Sequence, residues 1–163
     1  MSAAAKSQTL AAIKTADTLY HRLVLLVGET GSGKTTVLRA LGHELSVDVV
    51  NVNLAVSAEL LELTSRQRIL RLPDVLEQTA TQSSSPVLLD NLEILFDRNL
   101  QQDPLRLLQH LSRNRTIVAA WGGSVSGDKL LYAELGHDEY RSYEASDVLI
   151  VTINRTIQAT PIE

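Results

Sequence analysis

The chain has 163 residues, 44% of them hydrophobic, a formal net charge of -4 at pH 7 and no cysteine. That length and apolar content suffice to bury a core without covalent staples, and they predict one domain over residues 1–163. The lack of cysteine excludes a disulfide framework and a thiolate metal site, and the acidic balance excludes a global attraction for nucleic acid. No apolar run approaches the length of a membrane span, so a cytoplasmic protein with no membrane contact is expected.

From Ala3 to Thr18, Leu10, Ile13 and Ala16 recur at helical spacing among strong helix formers, predicting a leading helix within residues 1–20. Leu23 to Val27 is an apolar run that reads as a buried strand. Directly after it comes Gly28-Glu29-Thr30-Gly31-Ser32-Gly33-Lys34-Thr35, a complete G-x-x-x-x-G-K-[ST] loop. In such a loop the glycines let successive N–H groups converge on phosphates, the lysine sets a cation on the β and γ phosphates, and the Thr35 hydroxyl is offered to Mg²⁺. Thr36 opens a helix to about Leu45, whose N-terminus adds its dipole to the same place. The loop therefore implies binding of ATP or another nucleoside triphosphate with Mg²⁺.

Val47 to Val52 alternates and is β-branched, which predicts a second strand. Ser57 reads as an N-cap for Ala58 to Leu63, and Pro73-Asp74 as the opening of a helix to about Gln82. Pro86 to Asp90 is a short apolar strand ending in an acid, as in the centre of a parallel sheet. Asp103-Pro104 caps a helix to about Leu111, and Thr116 to Trp121 is a fourth buried strand. A small helix is predicted from Lys129 to Leu135, then a last strand from Val148 to Ile153 and a tail over 154–163. Strands alternating with helices specify an α/β fold of three layers with a five-stranded parallel sheet.

Val87-Leu88-Leu89-Asp90 resembles a Walker B element, in which an acid at a strand end holds a Mg²⁺-bound water. Asp90 is thus the second metal-side candidate beside Thr35, with capping of the next segment as the plain alternative. Its distance along the chain from Lys34 resembles the additional-strand P-loop ATPases, which include the AAA+ proteins. Those place a glutamate straight after the acid to polarise water. Here Asn91 stands there and Glu93 follows two positions on, so Glu93 is the substitute base, or else a solvated residue, and slow turnover is expected.

The stretch Leu89 to Phe96, then Asp103 to Leu108, Leu111 to Thr116, Ala120-Trp121 and Gly136 to Tyr140 is similar to the small P-loop ATPase, component F, of type 3 BREX (bacteriophage exclusion) systems. That resemblance runs from Leu23 to Ile153. It implies a subunit of a bacterial anti-phage complex that associates with itself and with other components, above all the large ATPase, and touches DNA indirectly. AAA+ proteins complete their site with an arginine from the neighbouring subunit. Arg141, in Glu139-Tyr140-Arg141-Ser142-Tyr143, resembles the segment that carries it; Arg113 and Arg115 are the alternatives, and helix capping or simple solvation competes for all three. The polar sensor of the fourth strand is not evident among Trp121, Gly122 and Gly123, with Ser124 the nearest hydroxyl, and the helical lid of AAA+ proteins is missing.

Three readings compete: a weak or partner-stimulated ATPase subunit, a nucleotide-bound scaffold that does not hydrolyse, and a small P-loop kinase. Arg66, Arg68 and Arg71 read as a charged face or loop or, less readily, as backbone-phosphate contacts. Tyr20, His21 and Arg22 precede the first strand, where adenine often rests in related ATPases, with ordinary exposure as the plain alternative.

Overall fold

Every residue of β1 (Leu23–Gly28) is buried. Its side chains alternate between two apolar layers: Leu23, Leu25 and Val27 face one, Val24 and Leu26 the other. A strand buried on both faces needs partners on both edges and cover above and below. The computed structural model, which describes residues 2–133, 139–144 and 148–153, supplies all four.

The parallel sheet has the order β2 (Val49–Asn51), β3 (Val87–Asp90), β4 (Ile117–Ser126), β1 and β7 (Leu149–Thr152). β4 is thus inserted between β1 and β3, pairing Leu23 with Ile117 on one edge and Val87 with Ile117 on the other. The phosphate-loop strand and the strand ending in Asp90 are separated by one strand, as the additional-strand arrangement requires. Helices α1 (Ser2–Ala16) and α2 (Lys34–Leu45) cover one face, and α3 (Val52–Leu60), α4 (Ser65–Thr81) and α5 (Pro104–Leu111) the other. The expected three-layer α/β fold with five parallel strands is present.

Two further strands, β5 (Lys129–Tyr132) and β6 (Arg141–Glu144), add an antiparallel extension to β4. This corrects the helix expected from Lys129 to Leu135. Ser126 pairs with Lys129, which leaves a two-residue Gly127-Asp128 turn with Gly127 at φ 57°. Such a turn demands a left-handed first residue, and glycine supplies it. The hairpin is pinned by Trp121, whose Nε1 donates to the Leu131 carbonyl at 3.0 Å, and by a Lys129–Glu144 ion pair. Trp121 is fully buried, edge-on to Phe96 and Tyr143.

Other boundaries move as well. The second strand is only three residues long, because Asn51 turns the chain into α3 by accepting from the Leu54 N–H at 3.0 Å. Ser57 is therefore inside a helix and caps nothing. The next helix starts not at Pro73 but at Ser65, behind a reciprocal cap between Thr64 and Gln67. Pro73 inside that helix removes a backbone donor and would orphan the Ile69 carbonyl. Gln102 Nε2 donates to that carbonyl at 2.9 Å, so the helix continues through the proline. The predicted 154–163 tail and Gly136-His137-Asp138 lie outside the described residues.

Candidate functional site

The phosphate loop leaves the carboxyl end of β1 and returns as α2. Gly31 and Gly33 take φ of 82° and 105°, a region costly to residues with a Cβ. Gly28 is required for a different reason, since a Cβ there would meet the Ile153 carbonyl oxygen at 2.7 Å and run into Ser32 Oγ. The Ser32 N–H donates to the Glu29 carbonyl at 3.0 Å, closing the turn. No side chain caps α2, which leaves its first N–H groups aimed into the loop. Thr36 is exposed in that first turn.

Lys34 Nζ lies across the loop, donating to the carbonyls of Gly28 at 2.7 Å and Glu29 at 3.0 Å. Burial pushes its pKa below the ordinary lysine value, while the nearby carboxylates of Asp90, Glu93 and Glu29 pull it back up. One ammonium thus shares its field with three carboxylates, and a cation bound with the polyphosphate would offset part of their charge.

Thr35 and Asp90, 55 positions apart in the chain, meet directly: Thr35 Oγ1 donates to Asp90 Oδ2 at 2.7 Å. The other carboxylate oxygen accepts the Asn91 N–H at 2.9 Å, and Asp90 is only 7% exposed. Among its described bonds none caps the following 3₁₀ turn, Glu93–Phe96, whose N-cap position is Leu92. A hydroxyl and a carboxylate side by side are hard oxygen donors of the kind Mg²⁺ takes. Ser32 Oγ, buried within the loop without a partner, is a further polar atom with capacity to spare. The residues present therefore fit a Mg²⁺-bound nucleotide.

Asn91 sits at φ 58°, and its carbonyl accepts the Asn53 N–H at 3.0 Å. Asparagine is among the few non-glycine residues that adopt this conformation readily. Glu93, exposed at the start of the 3₁₀ turn, receives a hydrogen bond at 3.2 Å from Asn53 Nδ2, and Asn53 Oδ1 accepts the Ile94 N–H at 2.7 Å. Sequence reasoning overlooked Asn53. Its only signal was a second asparagine after the short strand, and its contacts span 40 residues.

The arginines separate. Arg141, on β6, donates to the Gln102 carbonyl at 3.1 Å and lies 5.9 Å from the centre of the Phe96 ring. Arg115 is paired with Glu77 at 2.7 Å, and Arg113 lies 5.0 Å over the Tyr20 ring. Both precede β4, at the amino edge of the sheet, opposite the phosphate loop. Tyr20, His21 and Arg22 are at that edge too, since the Arg22 carbonyl accepts the Ile117 N–H. This placement, with Tyr20 largely exposed, favours ordinary exposure for them over an adenine contact. Arg68 bonds the Leu61 and Leu63 carbonyls, whereas Arg66 and Arg71 are exposed.

A glycine-rich phosphate loop at the carboxyl end of β1, an acid at the end of β3 and a strand between them define a P-loop nucleotide-binding ATPase fold. A family model described as an AAA domain matches residues 18–120, and the chain belongs to that family. No curated protein and no solved structure matches the chain. No helix among the described residues is long and apolar enough to cross a membrane.

Proposed function

We propose that the protein is a Mg²⁺-dependent ATP-binding subunit of low intrinsic ATPase activity, whose nucleotide state controls its assembly with partners. The contact between Thr35 and Asp90 carries this reading, because it brings the loop hydroxyl and the strand-end acid to one point. Bound there, Mg²⁺ supplies positive charge to the phosphate oxygens. The backbone N–H groups of the loop and of α2 hold the phosphates, and Lys34 exchanges its two loop carbonyls for β and γ oxygens. Glu93, oriented by Asn53, accepts the proton of the attacking water. Arg141 serves a neighbouring subunit.

The wider setting rests on the resemblance of the Asp90 to Trp121 block to component F of type 3 BREX systems. On that reading the protein acts in the bacterial cytoplasm, against phage, with copies of itself and the large ATPase as partners. DNA contact is then indirect.

A second reading, a scaffold that binds ATP without hydrolysing it, is favoured by Asn91. An amide that cannot take a proton stands next to Asp90, in a backbone conformation unfavourable to glutamate. Calorimetric ATP titration with Mg²⁺ and with EDTA, followed by phosphate release with and without the large ATPase, tests both. Mg²⁺-dependent binding with released phosphate supports the first reading. Binding without release under any condition supports the scaffold, and no binding overturns both.

A further inference from the structure

β4 outruns the parallel sheet. Its neighbour β1 ends with Gly28 opposite Gly122, while β4 continues from Gly123 to Ser126 against β5. This overhang lies beyond the 18–120 stretch matched by the AAA domain. Between it and the phosphate loop lies a cavity of about 500 Å³. The loop side contributes Glu29 and Thr30, the end of β7 contributes Thr152 and Ile153, and the overhang contributes Ser124 and Val125.

The lining does not suit phosphate. Lys34 and Thr35 are not part of it, and among the described residues that line it the one charged side chain is the carboxylate of Glu29. Its lining residues carry instead three apolar side chains, on Val27, Val125 and Ile153, and four hydroxyls, on Thr30, Ser32, Ser124 and Thr152. That mixture, in a volume within the range of about 300–1,000 Å³ usual for small-molecule sites, suits a flat, uncharged group with polar edges. The cavity also shares Gly28 and Ser32 with the phosphate cradle, so the two spaces adjoin.

We propose that this cavity holds the nucleoside end of the bound nucleotide and that the β4–β5 overhang is its outer wall. The proposal rests on the phosphate-loop reading and goes beyond it by giving Ser124 and Val125 a part in nucleoside affinity. On this reading the antiparallel extension covers the nucleoside from the β4 side. Val125, 37% exposed on a strand edge, has an apolar side chain to lay against a base.

The test compares Mg-ATP with Mg-triphosphate, which has the phosphates and no nucleoside, by calorimetry on the full chain. Ser124→Trp fills the cavity without touching Lys34, Thr35 or Asp90. It is expected to weaken ATP at least tenfold and to leave triphosphate affinity within twofold. Should Ser124→Trp not fold, as judged by circular dichroism, Val125→Asp at the exposed strand edge carries the same expectation. ATP affinity equal to that of the parent, or parallel loss of ATP and triphosphate in a folded variant, overturns the nucleoside pocket. A parent protein that binds neither compound overturns the phosphate-loop reading itself.

Discussion

Asn53 grips the segment that follows Asp90 at three points: its side-chain amide donates to Glu93, its side-chain oxygen accepts the Ile94 N–H, and its own N–H donates to the Asn91 carbonyl. One residue on α3 thus sets where Glu93 stands relative to Lys34. Asn53→Ala is expected to leave ATP affinity within twofold and to lower phosphate release several-fold, with a stability loss of about 1 kcal/mol for the unmatched Ile94 N–H. Glu93→Gln should lower release further at unchanged affinity. Unchanged release in both variants would remove Glu93 from the chemistry.

Lys34→Ala removes a cation whose described bonds run to two loop carbonyls, so thermal stability should barely change. Nucleotide affinity should fall by about 2–3 kcal/mol, roughly 30- to 150-fold, the worth of charge-assisted hydrogen bonds. Titration calorimetry on the folded variant checks it. Parental affinity would mean that phosphates do not reach Lys34.

Asp90→Asn keeps an oxygen for the Thr35 hydroxyl and loses the charge. Binding of ATP should persist, while the gain in affinity on adding Mg²⁺ shrinks, because the carboxylate acts through the ion and its waters. A Mg²⁺ response equal to that of the parent would leave Asp90 a purely structural acid, tying Thr35 to Asn91.

Asn91→Glu places the glutamate of typical AAA+ proteins at φ 58° and is expected to cost about 1 kcal/mol of stability. Asn91→Gly, which adopts that conformation freely, should be neutral within about 0.5 kcal/mol. Denaturant melts compare the two. A rise in phosphate release for Asn91→Glu would show that the missing acid limits turnover; equal stability of both variants would show that the backbone relaxes.

Arg141→Ala should keep the ATP affinity of the isolated subunit and lose nucleotide-dependent association or stimulated release. Mixed with Lys34→Ala protein, it should regain part of that activity, since some neighbouring pairs then carry an intact loop and an intact arginine. Size measurement and phosphate release on the mixture decide. Parental behaviour of Arg141→Ala alone would leave its bond to the Gln102 carbonyl as its whole role.

The phosphate loop and the parallel core were legible because their signals are local. Gly28 to Thr35 is one contiguous motif, and Val87 to Asp90 announces a buried strand by being apolar until its last residue. The hairpin was hidden by Leu130, Leu131 and Tyr132, an apolar cluster too short to fix a period, although Gly127-Asp128 between paired strands is a hairpin turn. Pro73 misled in the same way. Thr64 and Gln67 already spelled a capping box, but nothing near Pro73 reveals that Gln102 will satisfy the Ile69 carbonyl. Asn53 was beyond reach for the same reason, since its partners arrive only with the fold.

The strand that carries the phosphate loop is made early and braced late. Residues 23–28 find their neighbours only when residues 117–122 and 149–152 have been synthesised. Contacts of such sequence separation close slowly and cannot form on a partial chain. Until both segments dock, the phosphate loop has no rigid strand beneath it. The brace is completed where β7 pairs beside β1 and the Ile153 N–H donates to the Val27 carbonyl at 2.7 Å.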